Sequence, residues 1–347
     1  MDTAKRGRAT KPAGNGGPPA RSRVAIACQG GGSHTVFTAG VLRGLLERLP
    51  NDVEIVAISG TSGGAICAAL AWDGLVHGDF ERAGRKLLDF WVEVSAREPW
   101  DACLNAGMLA MARLGDFMTM PAVSPYALPN WGADRFRAML ARYFDFDELR
   151  ELARRPGAPA IYIGAVEVLT GHFEAFTGPE LTVDCLLASA AIPELFRAVE
   201  IPGYGSYWDG LFSQNPPVHD LSDHNINELW VIQINPSACA RVPMQIHEIN
   251  DRRNGLAGNI SLEQELNQIA MINRLIARGV LSDPKYHPID VARLAFDREL
   301  SYETKLDRRP EFLEELRTYG HTKARIFLEE RESRKHTLQA LGVLAAD

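Results

Sequence analysis

The sequence predicts an α/β fold in which a parallel sheet is covered on both faces by helices. Three observations carry that prediction. The run Val24-Ala25-Ile26-Ala27-Cys28 is continuously apolar and ends in Gly30-Gly31-Gly32, as a strand buried on both faces does before a tight loop. Residues 35–49 place Val36, Ala39, Leu42 and Leu46 at helical spacing. A second apolar strand, Glu54-Ile55-Val56-Ala57-Ile58, runs into Gly60-Thr61-Ser62-Gly63-Gly64 and an almost wholly apolar helix from Gly63 to Trp72, and a helix that is apolar all round belongs in the interior. Strand, helix, strand, helix is the order of a parallel α/β sheet.

The later elements follow the same logic. Residues 80–94 read as a helix, and Ile161–Val168 with His172–Phe176 reads as a strand pair around Thr170-Gly171. Leu229–Ile234 is another buried strand, ended by Asn235-Pro236. Ser261-Leu262-Glu263-Gln264 has the form of a capping box and predicts a helix from there to about Arg278. A charged amphipathic helix over about 309–331 closes the fold. No repeat or internal linker interrupts residues 23–335, so the expected plan is a tail over 1–22, a core over 23–235, and a helical extension over 236–347 packed on the same domain.

Composition narrows the function. The 347 residues carry a formal charge of -7 and no basic stripe in the body, which excludes general nucleic-acid binding. The tail is the exception, with Lys5, Arg6, Arg8, Lys11 and Arg21 against Asp2 among Gly, Pro and Ala. Such a segment buries too little apolar surface to order itself. Its charge would attract anionic lipid at about 1 kcal/mol per basic residue, so peripheral membrane contact is one expectation and a solvated tail the other. There is no apolar run of secretory or membrane-spanning length, which predicts a cytoplasmic protein. Cys28, Cys67, Cys103, Cys185 and Cys239 are scattered singly, suiting neither a disulfide framework nor a zinc site; they read as reduced core thiols.

Ser62 lies in a Gly-x-Ser-x-Gly pattern, common by itself in glycine-rich turns. Its context is more specific. A strand precedes it and a buried helix follows, so the hydroxyl would stand above the sheet, with Gly60 and Gly64 removing side chains that would clash. The N-terminal end of that helix also favours negative charge. Gly30, Gly31 and Gly32 would reach the same sheet edge and offer amides to an oxyanion. A dinucleotide loop fits poorly, because Thr35 stands where the third glycine belongs and no acidic residue ends the second strand.

The base for such a serine is less evident. Among nine histidines, His219, His224, His287 and His321 lie in no distinctive motif, and only two strands precede the elbow, fewer than in an α/β-hydrolase. Asp209, in Tyr207-Trp208-Asp209-Gly210-Leu211, follows a short apolar segment and precedes Asn215-Pro216-Pro217. Alone it reads as a turn-forming Asp-Gly.

Taken together, Gly30-Gly31-Gly32, the helix with Gly40-Val41-Leu42, the serine elbow, Ala188-Ser189-Ala190-Ala191-Ile192-Pro193 and Asp209-Gly210 resemble the patatin-like phospholipases over about 23–235. The resemblance implies a three-layer sandwich of patatin type and a Ser62–Asp209 dyad without histidine. It also implies oxyanion binding by Gly30–Gly32, support from Ser33 and His34, and no metal or cofactor. The expected function is serine-dependent lipid acyl hydrolysis of phospholipase A type through an acyl-enzyme. Carboxylesterase or acyl-thioesterase activity from the same site is an alternative, as is a catalytically weak lipid-binding regulatory protein. Two positions depart from the family pattern: His34-Thr35 replace a basic residue and glycine, and Leu211 replaces a glycine or alanine. Thr35 is expected to cap the first helix. Residues 104–120 hold Met108, Met111, Met118 and Met120, residues suited either to an adaptable acyl-chain groove or to an ordinary core helix. Oligomeric state is not legible.

Overall fold

The computed structural model describes residues 21–114, 123–193, 195–239, 241–298 and 300–340. The tail up to residue 20, and with it Met118 and Met120, lies outside the described residues. In chain order the strands are β1 (Ser22–Cys28), β2 (Val53–Thr61), β3 (Ala160–Glu167), β4 (Phe173–Thr177), β5 (Val199–Ile201), β6 (Gly205–Asp209), β7 (Glu228–Gln233) and β8 (Asp290–Ala295). The helices are α1 (Val36–Glu47), α2 (Gly63–His77), α3 (Phe80–Val94), α4 (Pro99–Leu114), α5 (Trp131–Tyr143), α6 (Phe146–Ala153), α7 (Val183–Ser189), α8 (Ile246–Ala277) and α9 (Pro310–Ala340).

All the strands form one 8-stranded sheet in the order β5-β6-β3-β2-β1-β7-β8, with β4 also paired to β3. From β3 through β8 along that order the neighbours are parallel, whereas β4, β5 and β6 add antiparallel pairings at the β3 end. The sheet is therefore mixed and mostly parallel, with helices on both faces.

The alternation of β1 divides the interior. Val24, Ile26 and Cys28 face a core with α1, α2 and α9 residues such as Leu42, Trp72 and Leu316, while Ala25 and Ala27 face a second core with Leu262, Leu266 and Ile269 of α8. Small residues on the second face let α8 lie close to the sheet. On the first face α1 and α9 cross at near-backbone contact: a Cβ on Gly40 would stand 2.1 Å from the Arg317 carbonyl oxygen, and one on Gly320 2.1 Å from that of Phe37. Residues 236–340 thus supply the strand β8 as well as the helices α8 and α9.

Three expectations change. The helix expected from Ser261 begins fifteen residues earlier, at Ile246, capped by Gln245 with Glu248; Ser261 lies inside it, where its hydroxyl accepts the Asn215 N–H at 3.2 Å. Thr35 makes no side-chain cap to α1, because its hydroxyl turns back to the Gly32 carbonyl at 2.5 Å. Cys103 and Cys239 are exposed, and only Cys28, Cys67 and Cys185 are core thiols.

Candidate active site

The serine elbow is built by close approach. Ser62 has φ 58° and ψ -131°, a conformation rare outside glycine and the one a strand-to-helix nucleophile turn imposes. A Cβ on Gly60 would lie 2.5 Å from the Gly64 carbonyl oxygen, and a Cβ on Gly64 2.3 Å from that of Cys28. Only hydrogen fits at either place. The Ser62 N–H donates to Ser189 Oγ at 2.9 Å, and the Ser189 hydroxyl donates to the Gly164 carbonyl at 2.6 Å. Ser189, from the Ala188–Pro193 segment, therefore ties the elbow to β3.

Asp209 reaches the elbow by strand register. Thr61 pairs with Gly164 of β3, and Asp209 pairs with the next residue, Ala165. Gly210 then passes so near Thr61 that a Cβ there would lie 2.9 Å from Thr61 Cγ2. The Asp209 carboxylate accepts the Leu211 N–H at 2.8 Å, and the Ser62 hydroxyl is near enough to act on its titration. Burial dominates its electrostatics and lifts its pKa from 3.8 to about 7, against the lowering influence of those two donors. Ser62 is 7% and Asp209 1% exposed, so the pair is shielded from bulk water.

The glycine loop lies directly over this pair. A Cβ on Gly30 would meet Ser62 Cβ at 2.8 Å. The Gly30 N–H is already donated to Asn215 Oδ1 at 2.7 Å, which leaves the amides of Gly31 and Gly32 as the loop's open donors. Gly32 has φ +58° and faces the Lys305 carbonyl oxygen at 2.5 Å from its hypothetical Cβ, a left-handed turn that suits glycine. Sequence reasoning missed what holds this loop. Buried Gln29 accepts the N–H groups of Ile234 and Asn235 at 2.8 Å each, and its amide donates to Asn259 Oδ1 at 2.8 Å. Asn215 is anchored in turn, since Thr61 Oγ1 donates to the Gln214 carbonyl at 2.6 Å and Ser59 Oγ to that of Pro217.

The two departures from the family pattern are accommodated. Leu211 packs beneath α8 at Gly258, where a Cβ would meet Leu211 Cδ1 at 2.9 Å. His34 is buried beside Ser33, bonded through Nε2 to Thr304 Oγ1 at 2.7 Å and stacked on Phe296 at 5.7 Å. Burial first, and the Lys305 charge second, push its pKa down to about 3, so it is neutral at ordinary pH. Of the other histidines considered, His224 bonds Tyr162, His287 the Ile226 carbonyl and His321 Glu47, and His219 is exposed, with its backbone N–H donated to Glu265. Met108 is exposed on α4. Among the described residues there is no cluster of side chains able to hold a metal ion, and no helix is long and apolar enough to cross a membrane.

Among solved structures, VipD from Legionella pneumophila aligns with 13% identity and a TM-score of 0.45, covering 90% of this chain and 67% of its own. The ExoU–SpcU complex of the type III secretion system of Pseudomonas aeruginosa aligns with 16% identity and a TM-score of 0.30, covering 100% of this chain and 73% of that one. No curated protein matches the sequence significantly. The signature of the family described as Patatin-like phospholipase matches residues 26–222, a span that includes the glycine loop, the serine elbow and Asp209; the chain belongs to that family and is a lipid acyl hydrolase, acting on ester bonds.

Proposed function

We propose that the protein cleaves acyl esters of phospholipids by a Ser62–Asp209 dyad. The observation that carries this reading is the strand register that brings a buried Asp209 carboxylate, its pKa raised to about 7, to the Ser62 elbow. A carboxylate of ordinary pKa is a weak base toward a serine hydroxyl, and one raised to neutrality is matched to the task. Asp209 takes the proton as Ser62 Oγ attacks the ester carbonyl, and the oxyanion forms against the amides of Gly31 and Gly32 at the positive end of α2. The proton passes to the leaving alcohol as the C–O bond breaks, leaving an acyl-serine. Water, deprotonated by Asp209, attacks the acyl-serine and releases the fatty acid, returning the proton to Ser62. Gly30 and Asn215 hold the loop, and His34 and Ser33 support it from behind without taking part in proton transfer. The core over 23–235 carries this chemistry, and 236–347 completes the same domain.

The test is fatty-acid release from phospholipid micelles together with fluorophosphonate labelling, for the wild type, Ser62→Ala and Asp209→Asn. Ser62→Ala should remove both label and release, and Asp209→Asn should slow release by about 100-fold to 10,000-fold. A folded wild type that neither labels nor hydrolyses phospholipid or a p-nitrophenyl ester would overturn the reading.

A further inference from the structure

A cavity of about 310 Å³ lies against the glycine loop, with neither Ser62 nor Asp209 among its lining residues. It is cationic in a protein whose overall charge is -7. Arg241, Arg252, Arg298 and Lys305 line it, against Glu248 as its one carboxylate, and His34, which closes one wall, is uncharged. Two of these cations have carboxylate partners. Glu248 takes Arg241, and Arg298 pairs outward with Glu315 at 2.6 Å while lying over the Tyr319 ring at 4.2 Å. Half-buried Arg252 donates to neutral carbonyl oxygens, those of Pro236 at 3.2 Å and Ser237 at 2.9 Å, and has no carboxylate partner among the described residues. A guanidinium fixed on neutral acceptors keeps its whole charge for a ligand.

The cavity is also joined to the catalytic loop. Ile234, in its wall, would stand 2.4 Å from a Cβ on Gly31, and the Lys305 carbonyl oxygen 2.5 Å from one on Gly32. Asn235, also in the wall, donates from Nδ2 to the Gly30 carbonyl at 3.4 Å and accepts Lys305 Nζ at 3.2 Å. The volume falls at the small end of ligand sites, about 300–1,000 Å³. We infer that this cavity binds a phosphate-bearing anion, held by Arg252 with Arg298 and Lys305, next to the loop that receives the oxyanion. Two sources share that chemistry. One is the phosphate of the phospholipid under attack, which lies a few bonds from its ester carbonyls; the other is a free phosphate ester acting on the loop. The first rests on the dyad reading above and the second does not.

Binding of sn-glycerol 3-phosphate to the full chain, measured by calorimetry, and hydrolysis of phosphatidylcholine micelles beside p-nitrophenyl butyrate separate the cases. For Arg252→Gln, glycerol-phosphate affinity should fall about ten-fold, the size of one charge-assisted hydrogen bond, and Arg252→Lys should recover part of it. A matching fall in the ratio of phosphatidylcholine to p-nitrophenyl ester kcat/KM assigns the site to the lipid headgroup. Loss of glycerol-phosphate binding with that ratio unmoved assigns it to a free phosphate ester. If neither Arg252→Gln nor Arg298→Gln, each shown to be folded by its melting curve, changes affinity or the ratio, the inference is overturned. A wild type inactive on both esters would sink the hydrolase reading, and the calorimetry would still decide the cavity.

Discussion

Ser62 and Asp209 meet because consecutive residues of β3, Gly164 and Ala165, are the register partners of Thr61 and Asp209. The elbow ends one strand and the carboxylate ends another, and β3 holds both ends at adjacent positions. Nothing flexible separates the two groups. Their approach is thus set by sheet pairing, and the electrostatics of Asp209 are governed mainly by its burial.

In the proposed dyad that burial would set the pH dependence of the reaction, with the carboxylate as the working form of Asp209 and its pKa raised to about 7. kcat/KM on an uncharged ester should therefore fall about ten-fold per pH unit below 7 and level off above it. His224→Gln and His287→Gln, whose rings are bonded to Tyr162 and to the Ile226 carbonyl, should leave the profile in place. A pH–rate curve flat from 5 to 8, or one displaced by either histidine change, would remove Asp209 as the base.

The same shift predicts a stability effect of opposite sense. A carboxyl whose folded pKa is raised from 3.8 to about 7 favours its neutral form in the fold. Its contribution is complete below the unfolded pKa and is lost as pH rises through about 7. Asp209→Asn, which cannot ionise, should melt close to wild type near pH 4 and be more stable at pH 8, by on the order of 1–4 kcal/mol. Thermal melts at the two pH values check this. A variant less stable than wild type at pH 8 would mean that the carboxylate is held by more than burial allows.

The elbow and its strands were legible because each is a continuous apolar run bounded by glycine, a signal that survives without tertiary context. The tie that keeps Gly30 in place was not. Gln29, Asn215, Ile234 and Asn259 are brought together by folding across some 200 residues, and no local pattern marks any of them. The start of α8 was misplaced for a related reason. Its first half contains Gly255 and Gly258 and leaves Leu256 and Ile260 exposed, so hydrophobic periodicity begins only where the helix reaches the sheet, near Leu262. The strands β5 and β8 escaped notice because one is short and the other is little buried. The open amides of the oxyanion loop could not be told from the occupied one before the Asn215 contact was visible.

Ser189 offers a test of the elbow apart from its chemistry. Its hydroxyl accepts from the Ser62 N–H and donates to the Gly164 carbonyl, all of it buried. Ser189→Ala leaves both backbone groups without that partner, a loss of about 1–3 kcal/mol in stability. Fluorophosphonate labelling of Ser62 should slow as well, since the strained turn loses its brace. Labelling at the wild-type rate in the destabilised variant would show that the turn is held by Gly60 and Gly64 alone.

Asn215 is argued to be a positioning residue, acting through Gly30 and not on the substrate. Its Oδ1 is the acceptor that fixes the Gly30 amide, while its Nδ2 is buried without a protein partner. Asn215→Ala leaves the Gly30 N–H buried and unpaired, which frees the loop to turn that amide toward Ser62 and to draw the amides of Gly31 and Gly32 out of line. The loss should appear where the oxyanion develops. On a short p-nitrophenyl ester kcat should fall by roughly 10-fold to 100-fold, somewhat less than removal of an oxyanion donor, with KM nearly constant. Asn215→Asp, which keeps the acceptor, should recover part of the kcat lost in Asn215→Ala at the same pH where its carboxyl is protonated, and lose it as pH rises and a second buried charge forms beside the Gly30 amide. Equal loss in both variants at every pH would reduce Asn215 to a structural role, and a change in KM alone would place it against the substrate instead.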